Sequence, residues 1–554
     1  MEIAVFVMEV GLNDSIPTYS GGLGILAGDL AYSFADLGIP ATFVTLLSRN
    51  GYASQKLDAV VGQSDSPQPW DWQSTLTKTK AVVALEMGNR TQKVGAWEYV
   101  VKGKTDTRVI FLDTDIPGND PEFRDATDRL YGGGQSSRLN QDMVLGTGGY
   151  RVLKALGLDI EIYHLNESHA AFAVVELLRD FGSADAVRRK CVFTTHTPVA
   201  AGNDVFPADS VREAFRNYGW MNWDAEVIDG RISLTKLAGK YSGVTNAVSL
   251  KHRFVSRGVI GHDSIAYVTN GVYHRRWVWP TVKSVFDKYI RGWEETPALL
   301  AGADSIPPEE LGQAHDEAKR ALVSFVNQRT GVGFSEGVMT ITVAKRFTAY
   351  KRNGMILSDT DRLSRIASQR GKIQVVIAGK AHPLDVPAKG ILVDVMKKAD
   401  LLNRGTTGVR VAIMENYGIE MAKLLVAGSD VWLNNPVRPL EACGTSGMKA
   451  GMNGVLNLSV YDGWWLEAGI DGVNGWGIGR RTEWADTSGP AEGEDENALY
   501  QKLADAVIPL YYNGHERWLE MSKSSIATAG SLFNSYRMAR DYVTKVYARA
   551  ASPK

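Results

Sequence analysis

The chain has 554 residues, too many for one hydrophobic core, so about two to four domains are expected. Its 44% hydrophobic and 22% charged residues are those of an ordinary soluble globular protein. A net charge of −1 argues against a non-specific nucleic-acid or anionic-membrane binder.

The N-terminus, Met1-Glu-Ile-Ala-Val-Phe-Val-Met8, has no basic leader and reads as a first strand. Strand-like runs then alternate with helical patterns. The first half offers strands at Ile3–Val7, Ala41–Leu47, Arg108–Asp113, Ile160–Leu165, Lys190–Thr195 and Ser264–Thr269, with helices at Gly24–Leu37, Asn140–Leu156 and Ser168–Phe181. The second half offers strands at Met339–Lys345, Lys372–Ala378, Val409–Met414, Asp430–Leu433 and Val455–Val460. Continuous β-branched runs with helical crossovers imply parallel sheets covered on both faces. Two such sheets in series predict an α/β chain of two doubly wound, Rossmann-like domains, 1–275 and 276–519, with a ligand cleft between them. Asn497–Leu510 and Ser525–Ala550 read as helices. No apolar run approaches membrane-span length, and the two cysteines, Cys191 and Cys443, suit reduced thiols in the cytosol. Neither has metal-ligand spacing, and no metal is expected.

Several strand ends carry chemistry. Gly21, Gly22 and Gly24 open a helix and read as a backbone anion site. Gly22-x-Gly24-x-x-Ala27 formally meets the dinucleotide fingerprint, but the long gap from Val7 to Gly21 does not suit that fold's tight turn. His196, in Thr194-Thr-His-Thr-Pro198, lies at a strand's carboxyl end, where such sheets place ligands. Asn270 ends another strand in an ordinary Thr-Asn-Gly turn. A strand then ends in Lys345-Arg346, and Lys351-Arg352 follows closely, two basic pairs beside one strand end. Finally, Asp430-Val-Trp-Leu-Asn434 leads through Arg438-Pro-Leu-Glu-Ala-Cys-Gly-Thr-Ser-Gly-Met-Lys-Ala450 into a helix. A strand, a small-residue turn and a helix start cradle an anion, and Lys449 can bond to an aldehyde held there. Pyridoxal phosphate carries both groups.

Glu441-Ala-Cys-Gly-Thr-Ser-Gly-Met-Lys449 resembles the cofactor-lysine signature of the α-glucan phosphorylases, the glycogen, starch and maltodextrin phosphorylase family, which has serine where this chain has Cys443. Lys345-Arg-x-x-x-Tyr-Lys-Arg352, Gly21-Gly-Leu-Gly24, the Thr-Asn-Gly…Arg-Arg-Trp277 block and Glu415-Asn-Tyr417 are similar to other family blocks in the right order. Asn457-Leu-Ser-Val-Tyr-Asp-Gly-Trp-Trp465 looks like the short prokaryotic-type forms. The resemblance implies a GT-B fold with the active site in the interdomain cleft and the C-terminal helix, about 520–554, packing back on the first domain, and pyridoxal 5′-phosphate on Lys449, contacted by Lys345, Lys351, Tyr417, Thr445, Ser446 and Gly447. It assigns Gly21, Gly22, Arg346 and Lys351 to substrate phosphate. It assigns His196, Asn270, Tyr350, Glu441, Cys443 and Gly444 to the sugar, with Lys345, Arg346, Lys351 and His196 as the catalytic set. Glu167 and Ala170 stand where the animal enzymes have aspartate and proline.

The reaction implied is reversible phosphorolysis of an α-1,4-glucan's non-reducing end by inorganic phosphate. It gives α-glucose 1-phosphate with retention, the cofactor's 5′-phosphate relaying a proton. Two phosphates a few ångströms apart repel strongly: even at an effective dielectric of about 20, unit charges about 4 Å apart cost roughly 4 kcal/mol. Such a site therefore needs cations and a shared proton. The resemblance also implies a cytoplasmic homodimer acting on glycogen, starch or maltodextrin. The first strand starts almost at Met1, so no N-terminal phosphorylation or nucleotide control is expected. The alternatives are a nucleotide-sugar-dependent GT-B glycosyltransferase, such as a glycogen or starch synthase, and a non-catalytic glucan-binding protein.

Overall fold

The computed structural model describes residues 1–199 and 202–551. The chain forms two compact units. The first comprises Met1–Ala53, Pro67–Thr269 and the C-terminal stretch from Met538, and the second Ser54–Ser66 and Asn270–Arg537.

The first unit is built on a nine-stranded sheet. Its spatial order is Ile265–Tyr267, Val244–Ala247, Cys191–Thr194, Ile162–Asn166, Ile3–Val7, Ala41–Leu46, Thr107–Asp113, Arg90–Val101 and Thr77–Met87. The central strand Ile3–Val7 shows why the sheet is buried on both faces. Side chains alternate across a strand, and here Ile3, Val5 and Val7 enter one core while Ala4 and Phe6 enter the other. Leu26, Leu30 and Phe34 of the helix Gly22–Leu37 cover the first face, joined by Met538, Tyr542 and Val546. Buried His164 fastens this terminal segment: its Nδ1 lies 2.9 Å from the Tyr547 hydroxyl and its Nε2 2.8 Å from Thr194 Oγ1.

The second unit carries a six-stranded, all-parallel sheet in the order Val409–Met414, Ile373–Ala378, Met339–Ala344, Val431–Asn434, Leu456–Val460 and Gly475–Ile478. Every residue of Met339-Thr-Ile-Thr-Val-Ala344 is buried, as a central parallel strand requires. A hairpin, Ser54–Asp58 with Gly62–Ser66, joins this unit and lies against two strand ends. Gln55 Nε2 donates to Gly379 O at 2.9 Å, Gln63 Nε2 donates to Ala381 O at 2.9 Å, and Asn416 N donates to Gln55 Oε1 at 3.1 Å.

Three features depart from the sequence expectation. The first sheet is not purely parallel, because Thr77–Met87 and Arg90–Val101 pair antiparallel at its edge. The helix expected over Asn140–Leu156 contains a wider π turn at Val144–Gly148. There a Cβ on Gly146 would sit 2.5 Å from Ala173 N, so the close approach of the two segments requires glycine. The helix expected over Ser525–Ala550 breaks after Leu532 and restarts at Ser535. Val272 N donates to Phe533 O and Ser535 N to Val272 O, each at 2.9 Å, and these extended contacts displace helical ones. Asn534 Oδ1 then accepts from Arg537 N at 2.8 Å to start the next turn. Among the described residues, no helix is long and apolar enough to cross a membrane.

Candidate active site

In the second unit the candidate residues gather around one loop, 435–445, between the strand Val431–Asn434 and the helix Ser446–Met452. Lys449 is only 7% exposed, and its ammonium lies 3.8 Å from the Trp277 ring centroid. Asn453 holds that ring's segment to the helix: its Nδ2 donates to Trp277 O at 2.8 Å, and its Oδ1 accepts from Trp279 N at 2.8 Å. Gly444, Thr445 and Ser446 form the half-buried turn, where Ser446 Oγ accepts from Trp432 Nε1 at 3.1 Å. A Cβ on Gly447 would sit 2.4 Å from Asn457 Oδ1, itself buried without a hydrogen-bond partner. Cys443 is buried, and the Asn270 N–H donates to its sulfur. Burial pushes the thiol well above its usual range, Glu467 adds to this, and the Asn270 N–H opposes it. The Asn270 side-chain oxygen is buried and unpartnered.

The four bases occupy different states. Lys345 Nζ donates to Asn435 Oδ1 at 2.5 Å. Burial, then Lys351 and Arg352, hold its ammonium well below the usual lysine range, against the pull of Glu441. Lys351 forms an ion pair with Glu441, with side chains 16% and 7% exposed. Burial works against the Lys351 charge, but Glu441 and Tyr350 outweigh it and raise the pKa. Tyr350 fixes the approach by accepting from Val437 N at 2.7 Å through its carbonyl. Arg352 serves the framework, bonding Asn435 O at 2.8 Å, Pro436 O at 2.5 Å and Asp495 at 2.7 Å. Arg346 is exposed at the strand end. Tyr417 is half-buried after the strand Val409–Met414, and burial raises its phenol pKa.

The first unit's candidates form their own group. Gly21 and Gly22 start the helix Gly22–Leu37, whose first N–H groups have no helical acceptor. A Cβ on either would meet nothing within 4 Å, so packing demands glycine at neither position and open space lies above both. Buried Glu9 accepts from Ser20 N at 2.5 Å, Gly21 N at 3.2 Å and the Tyr131 hydroxyl at 2.9 Å, which fixes the loop from below.

His196 is half-buried, and its Nε2 lies 2.6 Å from Asn166 Oδ1. An amide oxygen only accepts, so Nε2 carries the proton and Nδ1 is left as an acceptor. Burial pushes this ring down to about 3, so it is neutral at neutral pH. At the far end of its loop, Asp204 meets His169 Nδ1 at 2.5 Å and Arg138 Nε at 3.1 Å. Burial opposes the Asp204 charge, but His169 and Arg138 outweigh it and hold its pKa well below the carboxylate range. Asp142, buried like His169, lies beside this half-buried Asp204, the three offering ligand atoms within 4.8 Å of one another. Its oxygens lack hydrogen-bond partners, and burial followed by Asp204 pushes its pKa well above the usual value. Arg138 acts against that rise.

Sequence reasoning did not single out Glu9, Gln55, Asn435, Asn457 or Trp277 as site residues. Glu9, two residues beyond a parallel strand, and Trp277, inside the Arg-Arg-Trp block, carried the only local signals.

The carbohydrate phosphorylase family model matches residues 231–470. The chain is 37% identical to the maltodextrin phosphorylase of Thermococcus litoralis, an alignment covering 98% of this chain and 70% of the relative. It is 35% identical to the glycogen phosphorylase of Mycobacterium tuberculosis, over 99% of this chain and 71% of the relative. It is 33% identical to the glycogen phosphorylase of Aquifex aeolicus, over 98% and 85%.

Proposed function

The chain belongs to the carbohydrate phosphorylase family, and from that premise we propose how its own residues serve an α-glucan phosphorylase. The protein is an enzyme of the glycosyltransferase class that transfers a glucosyl unit between an α-glucan and inorganic phosphate. The observation that carries the residue assignment is the loop 435–445, which binds Lys345 and Lys351 and leads into the helix that bears Lys449.

The residues present fit pyridoxal phosphate. Lys449 is an amine desolvated against an indole, the setting of a nucleophilic lysine, and could take the aldehyde. Gly447 leaves a cradle that a Cβ would fill, beside the unpartnered Asn457 oxygen, and the Thr445 and Ser446 hydroxyls line the same turn. When bound, this cofactor supplies a phosphate able to exchange a proton near neutrality.

In our reading the open helix start at Gly21 and Gly22 serves substrate phosphate in the first unit, Gly22 through its backbone N–H while Glu9 holds that of Gly21, and in the second unit Arg346 and Lys351 neutralise phosphate charge. Phosphate charge beside Lys345 would favour its ammonium form, against the burial that disfavours it. His196 accepts a sugar hydroxyl at Nδ1, while Asn270, Tyr350, Glu441, Cys443 and Gly444 contact the other hydroxyls. Two buried thiols suit the reducing cytosol as the enzyme's setting.

The test is borohydride reduction of the purified protein, followed by peptide mapping and a maltodextrin assay. The expected result is a phosphopyridoxyl group on Lys449 and phosphate-dependent release of glucose 1-phosphate. An unlabelled Lys449 in protein expressed with ample pyridoxal phosphate would refute the cofactor assignment. Turnover that needs a nucleotide sugar would refute the reaction.

A further inference from the structure

We propose that Glu167 is a positioning residue for the reaction proposed above, its carboxylate fixing the backbone of His196 through a deliberately strained main chain. The inference rests on that functional reading for the role of His196.

Glu167 has φ 77 and ψ 168, a region that glycine occupies almost alone. Its side chain is 1% exposed. From this conformation one carboxylate oxygen accepts from Ser168 N at 3.1 Å and the other from His196 N at 2.7 Å, with the Thr197 hydroxyl as a further donor. The neighbouring Asn166 holds the ring of the same histidine at Nε2. His196 is thus fixed both at its backbone and at its ring, which sets where Nδ1 points. Two residues on, His169 holds Asp204, so the segment Asn166-Glu167-Ser168-His169 grips both ends of the loop that carries His196.

Glycine would relieve the backbone but has no carboxylate, and a simple cap of the turn Ser168–Ala170 needs no positive φ. Strain at a buried carboxylate is therefore retained for what the carboxylate holds. Burial raises the Glu167 carboxyl to about 7. Against this act His169 from its own turn, and the His196 N–H, Ser168 N–H and Thr197 hydroxyl from the groups it holds. A protonated carboxyl gives up one acceptor, so the grip on His196 weakens as pH falls through neutrality.

The experiment compares holoenzyme carrying E167Q, E167G, E167A or E167D with wild type. It uses phosphorolysis of maltodextrin, thermal melting and amide hydrogen exchange. E167Q and E167G are expected to lose about tenfold or more in kcat, the scale of one charged hydrogen bond. The KM for inorganic phosphate should stay within about twofold, since this loop does not bear the phosphate site. E167D should recover most of the activity. The His196 amide should exchange faster in E167Q, unchanged elsewhere in the first unit, and faster in wild type at pH 6 than at pH 8 after correction for intrinsic rates. E167G should melt above E167A, because glycine adopts this φ without strain. Retention of kcat within about twofold in E167Q or E167G overturns the proposal, as does lost kcat with unchanged His196 exchange. A wild-type enzyme that releases no glucose 1-phosphate refutes the functional reading instead, and the exchange measurement still decides whether Glu167 holds His196.

Discussion

The Lys351–Glu441 pair makes a prediction that joins stability to phosphate affinity. Both side chains are largely buried, and the Glu441 N–H is itself held by Asp462 Oδ2 at 2.9 Å. Removing one partner leaves the other's charge desolvated, which costs about 3–5 kcal/mol in buried pairs, the lower end applying here because Lys351 keeps some water contact. Lys351→Met and Glu441→Gln should each cost about 3 kcal/mol. The double variant should cost little more than either, giving a coupling of about 2–3 kcal/mol. The assay is native-state exchange of the Glu441 and Trp464 amides, which report local opening at this loop. Kinetics supply the second readout. At an effective dielectric of about 20 and a separation of about 6 Å, a carboxylate repels each phosphate charge by roughly 3 kcal/mol. Glu441→Gln should therefore lower the KM for phosphate several-fold while raising that for glucan, whereas Lys351→Met should abolish phosphorolysis. Coupling below about 0.5 kcal/mol, or an unchanged phosphate KM in Glu441→Gln, would refute the reasoning.

Gly21→Ala should raise the KM for phosphate about tenfold with Tm nearly unchanged, because its new Cβ meets only open space. Gly28→Ala should instead cost about 1–3 kcal/mol, since its Cβ would sit 2.1 Å from Gly11 O; equal effects of the two on Tm would count against this separation. Asp430→Asn should destabilise the second unit by about 3–5 kcal/mol by stranding Lys319, whose Nζ lies 2.6 Å from Asp430. Burial opposes the Asp430 charge, but Lys319 and His315 outweigh it and lower its pKa, so its contribution is present at neutral pH and lost as pH falls through that lowered value; the Tm of Asp430→Asn should fall less on acidification than that of wild type. Phosphate bound beside Lys345 should raise its lowered pKa, seen across a pH series as a buffer-dependent binding enthalpy that Lys345→Met abolishes.

The sequence revealed the fold where both faces of a strand are dry. Met339–Ala344 and Val409–Met414 read as strands because nearly every position is apolar or β-branched, which is what a parallel sheet covered by helices demands. Thr77–Met87 and Arg90–Val101 lack that signal because they alternate, with much of one face in water. Gly475-Trp-Gly-Ile478 went unread because two glycines weaken its strand pattern, although Trp476 is buried. The break at Phe533 was invisible for another reason. Its cause is Val272, far away in sequence, and a local helical pattern cannot register a distant extended partner.

The site shows the same limit at the level of charge. Spacing placed Lys345, Arg346, Lys351 and Arg352 in one neighbourhood as two equivalent basic pairs. Folding makes them unequal. Arg352 is committed to two carbonyls and Asp495, Lys351 is kept cationic by Glu441, and Lys345 is pushed toward the neutral amine by burial and by those same neighbours. The cause lies in residues that no basic motif contains: Glu441 and Asn435 come from the loop after another strand, and Asp495 from a later helix. Two lysines of one motif driven in opposite directions give the site one ammonium favoured by its carboxylate partner and one disfavoured by burial, whose charge a bound dianion would favour. That division suits a pocket that must accept a dianion and release it, because a second permanent charge would strengthen binding in the ground state and the transition state alike.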